Sequence, residues 1–392
     1  MATKALKDRA DSLLRRAVDE GDVPGVVAMA TDRERTLYEG AFGSRVLGGG
    51  APMSPDTVCW LASMTKALTA AGVMQLVERG KLDLDSPASR WLAELGEVKV
   101  LDGFDAGGAP RLRAPKRAIT LRHLLTHTAG FGYETWNADI GRFQQATGTP
   151  SMSSCRKAAF AAPLLFDPGE RWNYGIGIDW AGRTLEAVSG KKLGAYLEEE
   201  LFAPLGMDDT AFRITPAMRQ RLAKVHQRGE DGALAVIDLE IQQEPEVEMG
   251  GGGLYSTAAD YLKFVRMILN RGRAGGRQVL RPETVDLMAR NQMGAARVAM
   301  LRTANPQRSN DAEFFPDVEK GWGLSFQVNL ERAPTGRAAG GLMWAGLGNC
   351  YFWIDPAGGA GGVFLTQILP FCDRKALPLY YDFEKTVCQS LN

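Results

Sequence analysis

Ser63-Met64-Thr65-Lys66 sets a hydroxyl and an amine three residues apart. On a helix that spacing brings both side chains to one face. A serine hydroxyl attacks a carbonyl only when a base takes its proton. A lysine serves as that base once burial or a neighbouring cation lowers its pKa. The stretch from Thr65 to Gly80 has helical spacing and carries almost no charge between Lys66 and Glu78, so it reads as a central buried helix with Gly80 as its stop. Ser63 then falls at the N-cap or in the first turn, where the positive end of the helix favours developing negative charge. The chemistry this pair offers is nucleophilic attack on an acyl carbon.

Ser154-Cys155-Arg156-Lys157 and Ser189-Gly190-Lys191-Lys192 repeat the pattern. The second sits at a Ser-Gly helix stop and reads as a turn; the first lies in a serine-rich segment and reads as capping. Ser63 stands apart because of its apolar setting and its companions downstream. Tyr174, in Arg-Trp-Asn-Tyr-Gly-Ile-Gly, offers a phenol that relays a proton to a leaving group. Trp344-Ala345-Gly346-Leu347 reads as a strand edge beside the nucleophile, with the backbone N–H of Leu347 joining that of Ser63 in an oxyanion hole. Alone, Tyr174 would be a core tyrosine and Trp344 a sheet aromatic; the combination raises both.

The positioning elements follow from periodicity. Residues 4–20 have helical spacing, and Val26–Thr31 with Arg35–Ala41 read as a hairpin across a turn at Asp32-Arg33-Glu34. From about Asp83 to Arg290 the chain is rich in helices and loops, including Gly182–Val188, Leu193–Leu201 and Ala258–Asn270, and Gly250-Gly251-Gly252-Gly253 marks a tight backbone passage. Strands return at Gly323–Asn329, Gly340–Trp344, Asn349–Ile354 and Gly362–Ile368, before a last helix over Leu379–Leu391. This order predicts an α/β (α+β) architecture. Residues 1–85 and 290–392 form one domain from both termini, residues 86–289 an inserted, mainly helical domain, and the active site lies in the cleft between them.

Composition narrows the function. The chain has 392 residues, 45% of them hydrophobic, with Lys+Arg and Asp+Glu both at 46. That supports a substantial core and argues against a nucleic-acid partner. No segment has the length and apolarity of a signal peptide or a membrane span, so a cytoplasmic location is the default expectation. The five scattered cysteines form no CxxC pair and read as buried thiols. An α/β-hydrolase is disfavoured: there is no G-x-S-x-G elbow, and no histidine follows His226. His123 and His127 have a metal-pair spacing but no third ligand, and read as structural. His226 reads as a surface residue in a charged loop.

Ser63-x-x-Lys66, Tyr174 and Trp344-x-Gly346, in this order, resemble the family VIII carboxylesterases, which share the fold of class C β-lactamases and D-alanyl carboxypeptidases. Leu124–Gly130, Phe166–Gly169, Pro204–Met207, Gly252–Thr257 and Gly321–Leu324 add to the likeness, which spans essentially residues 10–390. It implies a β-lactamase/transpeptidase-like fold, with an antiparallel sheet flanked by helices. It implies an acyl-Ser63 intermediate formed with Lys66 and Tyr174 and needing no cofactor or metal. It also implies a pocket for a small-molecule ester contacted by Trp344, Gly346, Tyr133 and Trp136. The strand triplet Trp344-Ala345-Gly346 lacks the cation that grips a substrate carboxylate, and Tyr174-Gly175-Ile176 lacks the amide that contacts a lactam. Short-chain ester hydrolysis is therefore expected first, with weak β-lactam turnover at most. β-Lactamase or D-alanyl carboxypeptidase activity, and acyl transfer through the same residues, are the alternatives. A scaffold that has lost catalysis is the remaining reading, and the complete Ser63, Lys66 and Tyr174 set argues against it.

Overall fold

The structure, a computed structural model, describes residues 2–391. Its centre is a seven-stranded, wholly antiparallel sheet. The strands are β1 (Gly25–Asp32), β2 (Thr36–Gly43), β3 (Lys320–Trp322), β4 (Gln327–Asn329), β5 (Leu342–Gly346), β6 (Cys350–Asp355) and β7 (Ala360–Leu365). Their order across the sheet is β3-β4-β5-β6-β7-β1-β2, so the two ends of the chain meet where β1 pairs with β7, Ala28 opposite Phe364.

Five helices bear on the argument: α1 (Ala2–Asp19), α2 (Thr65–Glu78), α3 (Gly177–Ser189), α4 (Ala258–Leu269) and α5 (Ala376–Leu391). Side chains alternate faces along a strand, and β6 shows what covers each face. The Tyr351 ring stacks on Tyr380 of α5 at 4.5 Å and Trp353 meets Phe383 at 5.6 Å, whereas Phe352 between them packs on Tyr261 of α4 at 5.1 Å. With helices on both faces, β6 has no solvent side and its residues are buried throughout. α4 falls within 86–289, the stretch expected as an insertion, so that stretch also supplies part of the sheet layer.

The expected strand over Gly323–Asn329 is instead a hairpin. Gly323 N–H donates to the Phe326 carbonyl at 2.8 Å and Ser325 has φ 75°, which turns the chain between β3 and β4. The strand expected to run to Ile368 ends at Leu365; Ile368–Leu369 pairs in parallel with Val225–Arg228. That pairing corrects the reading of His226. It is a strand residue, 1% exposed, whose Nε2 accepts the Leu47 N–H at 3.1 Å. Charged neighbours in sequence hid a ladder made with a distant segment. Four of the cysteines, Cys59, Cys155, Cys350 and Cys372, are buried free thiols. Among the described residues no helix is long and apolar enough to cross a membrane.

Candidate active site

α2 is buried from Thr65 to Leu76, as its charge-poor sequence requires. Ser63 is not its N-cap. It lies in a 3-10 turn, Ala62–Met64, that precedes the helix, and Met64 at the cap has helical angles. The turn exists because Ala62 adopts φ 45°, a left-handed conformation that costs a non-glycine residue energy and persists only where surrounding packing imposes it. β5 supplies that packing. A Cβ on Gly346 would stand 2.1 Å from the Leu61 carbonyl oxygen, so only glycine lets the strand lie against the serine turn.

Lys66 is fully buried, and its Nζ lies 3.2 Å from Ser63 Oγ, 3.1 Å from Tyr133 Oη and 2.6 Å from the Gly251 carbonyl oxygen. Burial draws its pKa down to about 7, with the Asp179 carboxylate pulling the other way. The carboxylate reaches the amine through two bridges. Asp179 Oδ1 accepts the N–H of Gly251 at 2.8 Å, the residue whose carbonyl accepts from Lys66. Asp179 Oδ2 accepts the Tyr133 hydroxyl at 3.3 Å. Burial raises the Asp179 pKa, and Lys66 opposes the shift. A Cβ on Gly251 would lie 2.4 Å from Asp179 Oδ2, so a larger residue there would displace the carboxylate.

Tyr174 is buried beside the same amine, its ring centroid 4.7 Å from Lys66 Nζ. Burial raises its pKa far above the ordinary phenol, against hydrogen bonds with Ser63 and Trp344, so it stays protonated at neutral pH. His127 clamps the tyrosine from both sides. Its carbonyl accepts the Asn173 N–H at 2.8 Å, its Nδ1 accepts the Gly175 N–H at 3.4 Å, and its ring lies 4.6 Å from that of Tyr174. His123 instead completes the capping box of its own helix with Thr120.

Ser63, Tyr133, Trp136 and Leu347 share the wall of one cleft, about 800 Å³ of free space counted to its open mouth, with Met152, Leu239, Ile241 and Met249 as apolar lining. Trp344 and Gly346, expected to touch substrate, are not among the residues that wall it. Trp344 is 3% exposed and its indole N–H donates to Tyr174 Oη at 3.0 Å, so it holds the phenol. The other Ser-x-x-Lys matches serve local turns: Ser154 Oγ donates to the Ser151 carbonyl at 2.7 Å, and Ser189 Oγ accepts the Lys191 N–H at 3.2 Å.

Sequence reasoning missed Asp179 and the part played by Gly251. One signal was present: Asp179 is the only charged residue between Tyr174 and Arg183, in an otherwise apolar run. A buried acid needs a partner, and such a residue near a proposed base is a candidate tuner. Replacing Asp179 with asparagine keeps an acceptor for the Gly251 N–H and removes the negative charge. The pKa of Lys66 then falls, so the acidic limb of kcat/KM, expected near pH 7 for the parent, moves to lower pH. A pH profile with an unmoved limb would show that Asp179 does not set the amine's protonation.

An antiparallel sheet between helices, with a Ser–Lys pair at the head of a buried helix, defines an enzyme of the serine hydrolase type. The Beta-lactamase family model matches residues 10–383, and the chain belongs to that family. The fold expected from the sequence is the fold observed. Monacolin J acid methylbutanoyltransferase of Aspergillus terreus is 33% identical, over 96% of this chain and 94% of its own. Lovastatin esterase of Penicillium rubens is also 33% identical, over 92% of this chain and 93% of its own. A variant of simvastatin synthase from Aspergillus terreus has a TM-score of 0.85 at 32% identity, covering 97% of this chain and 94% of that one. The chain is therefore similar both to acyltransferases and to an esterase.

Proposed function

We propose that the protein is an acyltransferase that carries a short acyl group on Ser63 and delivers it to a hydroxyl of a small, largely apolar acceptor. The observation that carries the reading is the Lys66 amine, 3.2 Å from Ser63 Oγ and drawn down to a pKa of about 7, on a cleft with apolar walls. Neutral Lys66 accepts the Ser63 proton as Oγ bonds to the acyl carbon, and the carbonyl π pair moves to oxygen. The N–H groups of Ser63 and Leu347 receive that oxyanion. As the carbon–leaving-group bond breaks, the departing atom takes the Tyr174 proton, and Lys66 returns its own to Tyr174. The acceptor hydroxyl then attacks the acyl carbon, giving its proton to the same pair, and the pair passes it to Ser63 Oγ as the Oγ–acyl bond breaks and the carbonyl re-forms.

Hydrolysis was the first expectation from the sequence, with transfer as the alternative. The methylbutanoyltransferase among the relatives supports transfer, and the apolar walls favour an organic acceptor over water. Hydrolysis stands as the second reading because lovastatin esterase is equally identical to this chain. The test is partition. With p-nitrophenyl butyrate as donor and a millimolar series of apolar alcohols, transesterified product is expected to outpace butyrate release. Acid as the sole product, with every alcohol inert, overturns transfer in favour of the esterase.

A further inference from the structure

β5 carries no cation, but the Ser63 cleft has one from another part of the chain. Arg308 is the one basic side chain on the wall of the Ser63 cleft among the described residues. It is half-buried, and among those residues no hydrogen bond, ion pair or ring contact engages its guanidinium. Its backbone is held: Arg308 N–H donates to the Asn305 carbonyl at 3.0 Å, and its carbonyl accepts the Phe371 N–H at 2.9 Å. Next to it, the buried Ser309 accepts the Trp136 indole N–H at 3.0 Å, which ties this turn to the aromatic wall of the cleft. An unpartnered guanidinium based on a pinned turn can take a carboxylate in a bidentate pair.

Two carboxylates share the cleft. Glu240 is spoken for by Arg219, whose Nη2 donates to it at 2.9 Å. Glu134 acts on Tyr133, the phenol that contacts Lys66, so its charge bears on the reacting centre.

We propose that Arg308 reads a carboxylate on the substrate, so that the molecule placed against Ser63 is an amphipathic acid: an apolar body, a hydroxyl or ester at the serine, and an anionic end at Arg308. This rests on the Ser63 cleft being the substrate site, but its test needs no turnover. Binding of 4-phenylbutanoate and of its methyl ester is measured by titration calorimetry on the parent and on Arg308→Ala, Arg308→Lys and Arg308→Glu. The parent is expected to prefer the acid, and Arg308→Ala to lower the acid-to-ester ratio roughly 10- to 150-fold, the worth of a charge-assisted hydrogen bond. Arg308→Lys keeps part of the ratio and Arg308→Glu inverts it. A ratio that is the same in the parent, Arg308→Ala and Arg308→Glu overturns the proposal, and because it is a ratio, a general loss of folded protein cancels. Failure of the acyl-transfer reading shows separately, in the partition assay, as acid being the sole product with every alcohol inert.

Discussion

Replacing Ser63 with alanine is expected to lower kcat/KM for a short-chain p-nitrophenyl ester by roughly four to six orders of magnitude. It is also expected to abolish labelling by a fluorophosphonate. The size of the effect follows from the site acting as a unit. Without the hydroxyl there is no acyl-enzyme, and Lys66, fully buried, is a poor base for a water that must reach it from outside. The substitution should leave the fold in place. Ser63 sits in a 3-10 turn that tolerates alanine, and the backbone geometry there is set by Ala62 and the close passage of β5. Thermal melting should match the parent. Ser154→Ala and Ser189→Ala are the controls, and both should retain parental rates, since those hydroxyls serve local turns. Turnover that survives in Ser63→Ala would place the nucleophile elsewhere and remove the basis of the proposed mechanism.

Replacing Lys66 with methionine is expected to cost roughly two to four orders of magnitude in kcat/KM, the usual contribution of a positioned general base. Its effect on stability has a sign that separates tuning from packing. The methionine fills the buried volume, but Asp179 loses the cation that opposes its burial, so its folded pKa rises further above the unfolded value. A carboxyl with a raised folded pKa costs nothing below its unfolded pKa and destabilises increasingly as pH climbs toward the folded one. Relative to the parent, the melting temperature of Lys66→Met should therefore fall progressively from about pH 4 toward about pH 8; Lys66 itself, drawn down to a pKa of about 7, costs the parent stability below that pH, and the variant does not carry that cost. The double variant Lys66→Met/Asp179→Asn should recover the melting temperature at the higher pH without recovering the rate. Recovery of both would mean that Lys66 is structural. Recovery of neither would mean that the carboxylate and amine do not share a charge balance.

The elements that carry the site were largely legible. α2, the β1–β2 hairpin, α4 and α5 depend on local periodicity, which a single sequence displays. Ser63 and Lys66 lie within one turn of chain, so their approach is nearly guaranteed once α2 forms. The lysine's other partners are of a different kind: Tyr133 is 67 residues away and Gly251 is 185. No local pattern encodes a contact that depends on how separate segments close on one another. The same limit explains Trp344. Alternation along β5 tells which side chains share a face, but what covers that face depends on the loop bearing Tyr174, 170 residues earlier.

By itself, then, the sequence determined a buried helix, a serine–lysine pair at its head and strands at both ends of the chain, because each follows from near-neighbour spacing. Tertiary structure alone decided that Ser63 sits in a strained turn before the helix and that Asp179 is linked to the amine through Gly251 and Tyr133. It likewise decided that Trp344 holds Tyr174 and that Arg308 reaches the cleft. The physical reason is common to all four: each depends on packing between segments far apart in the chain, where burial and close approach, and not spacing, set the chemistry.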